Sequence, residues 1–208
     1  MKSHNVRFLV LVCSWGMLAA AAGALHLLSR VPPGMVPIVV GAGAAIFTAI
    51  LLTSDSASTV MRSLGVRGIL GLHLGRFVGF YFLWLHAQGR LPLEFADRAG
   101  WGDVATAAGA ALLLVVPRGR GFERGLAAWN WFGLADLIVA VGTAAWLGRV
   151  RPDSMAEITG LPLALVPLWL VPMYMASHVF LMRRGPSRRA CAQGAPPQAE
   201  AEPRGART

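Results

Sequence analysis

Two ionisable side chains interrupt long apolar stretches of this 208-residue chain, and they are the residues most able to do chemistry. Arg76 and Asp136 each stand among aliphatic and aromatic neighbours. A charge at the centre of a membrane span costs about 3 kcal/mol or more, so intramembrane charges are usually paired or functional. At about 1.5 Å per helical residue, Arg76 lies about 13 Å beyond Arg67 and Asp136 about 18 Å beyond Arg124. These similar depths predict a charge-assisted pair.

This polar centre has two further candidate members. Asn130 lies six residues before Asp136, about 9 Å nearer the cytoplasm on the same predicted helix. Asp103 begins another helix directly after a Gly-Trp-Gly sequence, where a carboxylate can cap the helix and meet its positive end. Capping is the preferred interpretation of Asp103. For Arg76, Asp136 and Asn130 two interpretations stay open: an ion pair that fixes helix register, and a centre that binds a small solute, an ion or a lipid headgroup.

The histidines suggest a second kind of site. His26 and His86 each stand four residues before an arginine at the predicted outer boundary, whereas His73 and His178 lie near the inner boundary. His73 and His86 are thirteen residues apart, about 20 Å along one helix. Ligands at two such depths could hold two bis-histidine b-type haems. The histidines therefore have two interpretations: they are ligands of haem b, or they are ordinary interfacial histidines. Apart from haem b, no cofactor is predicted.

A third arrangement would be an enzyme site for a lipid-soluble substrate near the outer surface, formed by Asp103, Glu94 and His86. The sequence carries no HExxH, no Gly-x-Ser-x-Gly and no phosphate loop, so the common hydrolase and nucleotide motifs give it no support. No metal site is predicted, because no spacing signature accompanies these residues.

The elements that position these residues follow from composition. The chain is 55% hydrophobic and 14% charged, with a mean hydropathy of +0.56, whereas soluble domains are about a quarter charged. About twenty apolar residues cross a bilayer, and lipid-exposed backbone must satisfy its own hydrogen bonds, which favours helices. The predicted fold is an all-α polytopic transmembrane bundle with six spans, about 8–29, 34–53, 68–87, 101–117, 126–148 and 161–182.

The arginines indicate the orientation of this bundle, because cytoplasmic segments carry an excess of basic residues. With both termini cytoplasmic, the inner side holds Lys2, Arg7, Arg62, Arg67, Arg118, Arg120, Arg124, Arg183, Arg184, Arg188, Arg189, Arg204 and Arg207. The outer side holds only Arg30, Arg90, Arg98, Arg149 and Arg151. The net charge of +9 therefore reflects topology, and no nucleic-acid partner is predicted.

The two ends of the chain differ from the rest of the bundle. Lys2 and Arg7 precede an apolar run, as in a signal peptide, but the run is too long for a typical h-region. We therefore predict an uncleaved first span; cleavage would leave five. Residues 1–184 form one transmembrane domain, and residues 185–208 are too poor in apolar side chains to fold alone. They are predicted to be a disordered cytoplasmic tail.

Glycines and prolines predict how two of the helices pack. Gly71, Gly75 and Gly79 recur every four residues in the third span, which lets another helix approach closely. The sixth span carries three prolines at five-residue spacing, which free backbone carbonyls and favour kinks.

Polar residues and glycines recur in one order from Arg76 onward. The pattern reads Arg-x-x-Gly, Gly89-x-Leu91-Pro92-x-x-Phe95-Ala96, Ala99-Gly100-x-Gly102-Asp103 and Trp129-Asn130-x-x-Gly133-x-x-Asp136-Leu137. It resembles an uncharacterised family of bacterial multi-pass membrane proteins over the middle third of the chain. The resemblance implies that Arg76, Asp103, Asn130 and Asp136 form one recurring set. It implies no activity and does not include the four histidines.

These observations favour one function over two others. The chain is expected to be a multi-pass protein of the bacterial cytoplasmic (inner) membrane, because eighteen arginines beside a single lysine suggest a high-GC bacterial gene. It is expected to bind or transport a small solute or ion at the Arg/Asp centre. The alternatives are a b-type haem redox protein and a membrane enzyme. The expected partners are the lipid bilayer and a small solute or lipid, and a homo-oligomer stays open.

Overall fold

The structure is a computed structural model that describes residues 3–32 and 35–183, with side chains from residue 6 onward. All regular structure in these two ranges is helical, without a strand, which confirms the predicted all-α class. The predicted disordered tail, residues 185–208, lies outside the described residues.

Seven α-helices of nine or more residues and one single turn follow each other along the described chain. They are α1 (Ser3–Ala24), α2 (Val36–Thr53), α3 (Asp55–Leu72), α4 (Gly79–Ala87), the single turn α5 (Leu93–Phe95), α6 (Trp101–Val115), α7 (Arg120–Val150) and α8 (Val171–Arg183). Three 3₁₀ segments connect them, at Leu27–Arg30, His73–Val78 and Pro152–Thr159. Two π-helical segments lie at Ala96–Gly100 and Val166–Leu170.

Four helical segments are long and apolar enough to cross a membrane. They are Val6–Ala24, Val36–Thr53, Asp55–Ala87 and Arg120–Val150, and they correspond to the predicted first, second, third and fifth spans. Large apolar side chains on their surfaces are exposed; Leu18, for example, is 71% exposed. Such a surface is expected where lipid is the solvent.

The predicted fourth and sixth spans are less regular than expected. Helix α6 has 15 residues, about 22 Å at 1.5 Å per residue, which is shorter than a hydrocarbon core of about 30 Å. The predicted span 161–182 begins with turns, continues as the π segment Val166–Leu170 and becomes α-helical only at Val171. Its prolines lack the N–H groups that a regular helix needs.

A second difference concerns residues 54–67, which the predicted spans left as a cytoplasmic connection. The structure forms α3 there, because the Ser54 hydroxyl accepts a hydrogen bond from the Ala57 N–H at 3.4 Å and caps the helix. Gly65 interrupts the helix with a φ of +63°, a left-handed conformation that glycine adopts without steric cost. Helix α3 therefore starts thirteen residues before the predicted third span.

The interior of the bundle is organised around the 3₁₀ segment His73–Val78. This segment packs on α6, while α8 packs along α2 and against α7. A core that includes Ile69, Ala110, Phe122 and Ala176 fills the space beside it. The fold thereby encloses the one stretch of the third span that carries charge.

Candidate functional site

Arg76 occupies the centre of the bundle with no solvent exposure and binds three acceptors. Its Nε donates to Asp103 Oδ1 at 2.6 Å, and its Nη1 donates to the Gly133 carbonyl at 3.0 Å. Its Nη2 donates to Asp136 Oδ2. The predicted pair between Arg76 and Asp136 is thus present, and the guanidinium joins three elements: the 3₁₀ segment, α6 and α7.

Small residues allow the elements to approach this centre. A Cβ atom on Gly79 would lie 2.9 Å from the Cβ of Asp103, and one on Gly75 would lie 2.5 Å from the Tyr174 hydroxyl. A Cβ on Gly102 would overlap the Asp136 carboxylate. The predicted small-residue face is therefore closely packed at Gly75 and Gly79. At Gly71 an added Cβ would meet no atom within 4 Å.

Asp103 is a member of the charged centre, and the preferred capping interpretation was wrong. Helix α6 begins at Trp101 after Gly100, which makes no side-chain cap. The Asp103 carboxylate lies in the first turn but accepts its hydrogen bond from Arg76 instead. Burial explains this choice, because the side chain is only 11% exposed and a buried carboxylate needs a charged partner.

The centre has more negative than positive groups. Arg76 meets two carboxylates, so the three groups together carry a charge of −1 when all are ionised. Each carboxylate uses one oxygen for Arg76; Asp103 Oδ2 and Asp136 Oδ1 accept no hydrogen bond from any described residue. An uncompensated charge is costly where its side chain is largely buried, as those of Asp103 and Asp136 are.

Asn130 does not join this centre but forms a neighbouring neutral cluster. Its Nδ2 donates to the backbone carbonyl of His178 at 3.1 Å, and its Oδ1 accepts from His178 Nδ1 at 2.8 Å. His73 Nε2 donates to Ser177 Oγ at 2.9 Å, since the Ser177 hydroxyl itself donates to the Tyr174 carbonyl. Both imidazoles are fully buried.

The hydrogen bonds of this cluster fix the tautomers of both histidines. His73 Nδ1 and His178 Nε2 are left as acceptors without a donor among the described residues. The ring centroids lie 4.5 Å apart, and Trp129 packs at 4.9 Å from His73. Trp129 is buried and donates to the Thr106 carbonyl at 2.8 Å. It is part of the hydrophobic core.

The inner histidine pair, His73 and His178, is not arranged as the two axial ligands of one haem. Metal–nitrogen bonds of about 2 Å would separate two axial nitrogens by about 4 Å and the ring centroids by more. The His73 and His178 rings contact each other at 4.5 Å with a tilt of 51°, so a haem iron does not fit between them. His26 is exposed, and His86 Nδ1 donates to the Leu91 carbonyl at 3.0 Å.

The outer residues of the enzyme alternative each have a different partner. Glu94 accepts from Arg151 at 2.5 Å, while Asp103 belongs to the buried centre. The pKa of Glu94 lies below its usual value, first because its own backbone N–H bonds the carboxylate and then because of Arg151. Within the described ranges, no three His, Cys, Asp or Glu side chains are grouped to hold a metal.

Two cavities lie on the side of the 3₁₀ segment Pro152–Thr159. The inner cavity has a volume of about 50 Å³ and is lined by apolar residues and Asp103, its only ionisable lining residue among those described. The outer cavity, of about 220 Å³, also contacts Leu28 and Asp153. Ala144 and Ile158 line both cavities. The charged centre thus has a small apolar space directly beside one of its carboxylates.

The residues of both clusters fall inside a known family domain. Residues 32–184, well over half of the chain, match the family described as "Domain of unknown function (DUF8737)". The chain belongs to this family. No curated protein and no solved structure matches it. The match confirms the expected resemblance to an uncharacterised family and adds no activity.

In this DUF8737 domain, sequence reasoning missed three members of the charged centre and the neutral cluster. The Gly133 carbonyl is a backbone acceptor, which residue type does not reveal. Gly102 and Ser177 gave weak signals: a glycine directly before Asp103, and a serine beside His178 in an apolar helix. Gly133 could have been found, because it lies three residues before Asp136 and therefore on nearly the same helical face.

Proposed function

We propose that the protein is a membrane protein that binds a small ion at the centre formed by Arg76, Asp103 and Asp136, and carries it across the bilayer. We further propose that it crosses a bacterial inner membrane six times with both termini cytoplasmic. The π-helical segments directly before α6 and α8 would complete the two shorter spans. The excess of arginine at the predicted cytoplasmic ends supports this orientation.

The observation that carries the proposal is the ratio of two carboxylates to one guanidinium. A structural ion pair that fixes helix register needs one carboxylate and would be neutral. The second carboxylate adds a negative charge in the bundle interior, which is costly unless a cation compensates it. The unpaired oxygens Asp103 Oδ2 and Asp136 Oδ1 are suited to contact such a cation.

The size of the inner cavity favours a small ligand. Sites for drug-sized molecules have volumes of about 300–1,000 Å³, and one water needs about 10–15 Å³. The cavity beside Asp103, about 50 Å³, is therefore suited to a few waters or one ion.

Transient currents on a solid-supported membrane test this proposal. Proteoliposomes receive concentration jumps of Na⁺, K⁺ or H⁺ at constant ionic strength. We expect the wild-type chain to give a current with at least one ion, and Asp136→Asn, which keeps the shape but loses the charge, to give none. Asp97→Asn, at an exposed aspartate, is the matched control and should behave as wild type. No current with any of the three ions, or an unchanged current in Asp136→Asn, would overturn the proposal.

A further inference from the structure

We propose that the ion is the proton, and that Asp103 and Asp136 hold one proton between them. This inference rests on the function proposed above and names its ligand. The two carboxylates, joined through Arg76, then act as one proton-binding site of the bundle.

The ligands around the centre fit a proton better than a metal ion. Hard cations such as Mg²⁺ and Ca²⁺ take about six or more oxygen ligands. Arg76 already occupies one oxygen of each carboxylate and the Gly133 carbonyl. The other residues that line the inner cavity are apolar. A proton needs only one oxygen, and Asp103 Oδ2 or Asp136 Oδ1 can supply it.

Charge balance sets the number of protons at one. With both carboxylates ionised the centre carries −1, and with one proton bound it is neutral. A second proton would leave the Arg76 charge uncompensated in the interior, which is again costly. Because both carboxylates share one guanidinium, they titrate as a pair and not as independent groups.

The neighbouring groups leave the carboxylates as the place where the proton binds. The ionisable side chains that face the centre from the packed elements are Arg76 and His73 of the 3₁₀ segment, Asp103 of α6, Asp136 of α7, and Tyr174 and His178 of α8. Neither imidazole has a carboxylate partner. A positive charge on either ring would be repelled by the guanidinium, whereas a proton on a carboxylate removes excess negative charge.

The cavities place the route for protons on one side of the bundle. Asp103 lines the inner cavity, which shares Ala144 and Ile158 with the larger outer cavity. The outer cavity is bounded by the 3₁₀ segment Pro152–Thr159. Water in these two spaces would supply the proton, and binding forms one O–H bond on a carboxylate oxygen.

Infrared difference spectroscopy of the full chain in liposomes tests this site. As the pH is raised, wild type should lose the C=O band of one protonated carboxyl, a band that shifts in D₂O. Asp103→Asn and Asp136→Asn should each abolish the band, because either change leaves a neutral one-to-one pair. Asp97→Asn should keep it. A wild-type protein without the band, or a band that survives in either of the two variants, would overturn the proposal.

A measurement on the unchanged chain covers the case in which the Asn variants do not fold. The sequence contains five aspartates, and Asp55, Asp97 and Asp153 are exposed. Solid-state NMR of ¹³C-aspartate-labelled protein in bilayers should show one protonated carboxyl that persists when the exposed three are ionised. Its absence would overturn the inference.

The two proposals fail in different ways. A Na⁺ or K⁺ current from a protein that lacks the protonated carboxyl would remove the proton as ligand and keep the proposed function. A protonated carboxyl in a protein that gives no current would support the shared proton and remove transport.

Discussion

Replacing Gly102 by alanine should disrupt the charged centre although no charged residue is substituted. Gly102 is the second residue of α6, and its Cα faces the Asp136 side chain. An added Cβ would overlap Asp136 Oδ1 and lie 2.5 Å from Asp136 Cγ. The carboxylate would have to turn away, and with it the acceptor of Arg76 Nη2.

The expected change in the free energy of unfolding is the sum of two opposing contributions. Breaking a buried ion pair so that one charge loses its partner costs about 3–5 kcal/mol. Replacing glycine by alanine in a helix stabilises by up to about 1 kcal/mol. The Gly102→Ala variant should therefore lose about 2–4 kcal/mol of the free energy of unfolding.

Unfolding in SDS micelles, followed by circular dichroism, measures this free energy. Gly142→Ala is the matched control, because it lies inside α7 and an added Cβ there meets nothing within 4 Å. This control should be as stable as wild type or up to about 1 kcal/mol more stable. The same glycine-to-alanine change should therefore destabilise the fold at position 102 but not at position 142.

A double-mutant cycle separates the clash from other effects. In an Asp136→Ala background the added Cβ no longer meets a carboxylate, so Gly102→Ala should stabilise the fold by up to about 1 kcal/mol there. The coupling between the two sites should then be about 3–5 kcal/mol, which is the cost of the broken ion pair. A Gly102→Ala variant as stable as wild type, or an equal cost in both backgrounds, would refute the packing of Gly102 against Asp136.

Two further predictions concern the neutral cluster and the outer surface. Gly133→Ala should destabilise the fold by about 1–3 kcal/mol, as overpacking does, because its Cβ would lie 2.8 Å from His178 Nε2 and 3.0 Å from the Thr106 methyl; an unchanged SDS midpoint would contradict it. Because the pKa of Glu94 is lowered, its pairing stabilises the fold above the usual carboxyl pKa and is lost as the pH falls through the lowered value. Arg151→Gln should raise the Glu94 midpoint seen by ¹³C NMR, and an unmoved midpoint would exclude the pairing.

The pairing of Arg76 with Asp136 could be predicted from sequence because of the cost of isolated charges. Two opposite charges at similar depths in parallel spans have the lowest free energy when they form an ion pair. Their depths can be counted along each helix from the flanking arginines. The role of Asp103 could not be predicted in this way. Its position at a helix start suits a cap equally well, and only the packing of α6 on the 3₁₀ segment decides between the two.

Asn130 was assigned to the wrong cluster for a reason that the sequence does contain. At about 100° per residue, six residues place Asn130 about 120° around α7 from Asp136. The two side chains therefore point toward different neighbours, and Asn130 meets His178 of α8. Sharing a helix and a similar depth was not enough to place these residues in one site.

The boundaries of the helices were harder to predict than the helical class. Hydropathy reports which residues suit lipid, but not where the backbone leaves the α-helical path. Helix α3 starts early because Ser54 caps it, although its first residues are polar. The region 161–170 is apolar enough for a span, yet its prolines prevent a regular helix.

The 3₁₀ segment His73–Val78 connects the two polar clusters. With three residues per turn, side chains three apart eclipse each other, so His73 and Arg76 project to the same side of the segment. Gly133 adds a second link: its carbonyl accepts from Arg76, and its Cα packs against the imidazole of His178. A proton that binds Asp103 or Asp136 changes the charge that Arg76 must balance. Because the links are this short, such a change in charge would alter the electric field at both histidines of the neutral cluster.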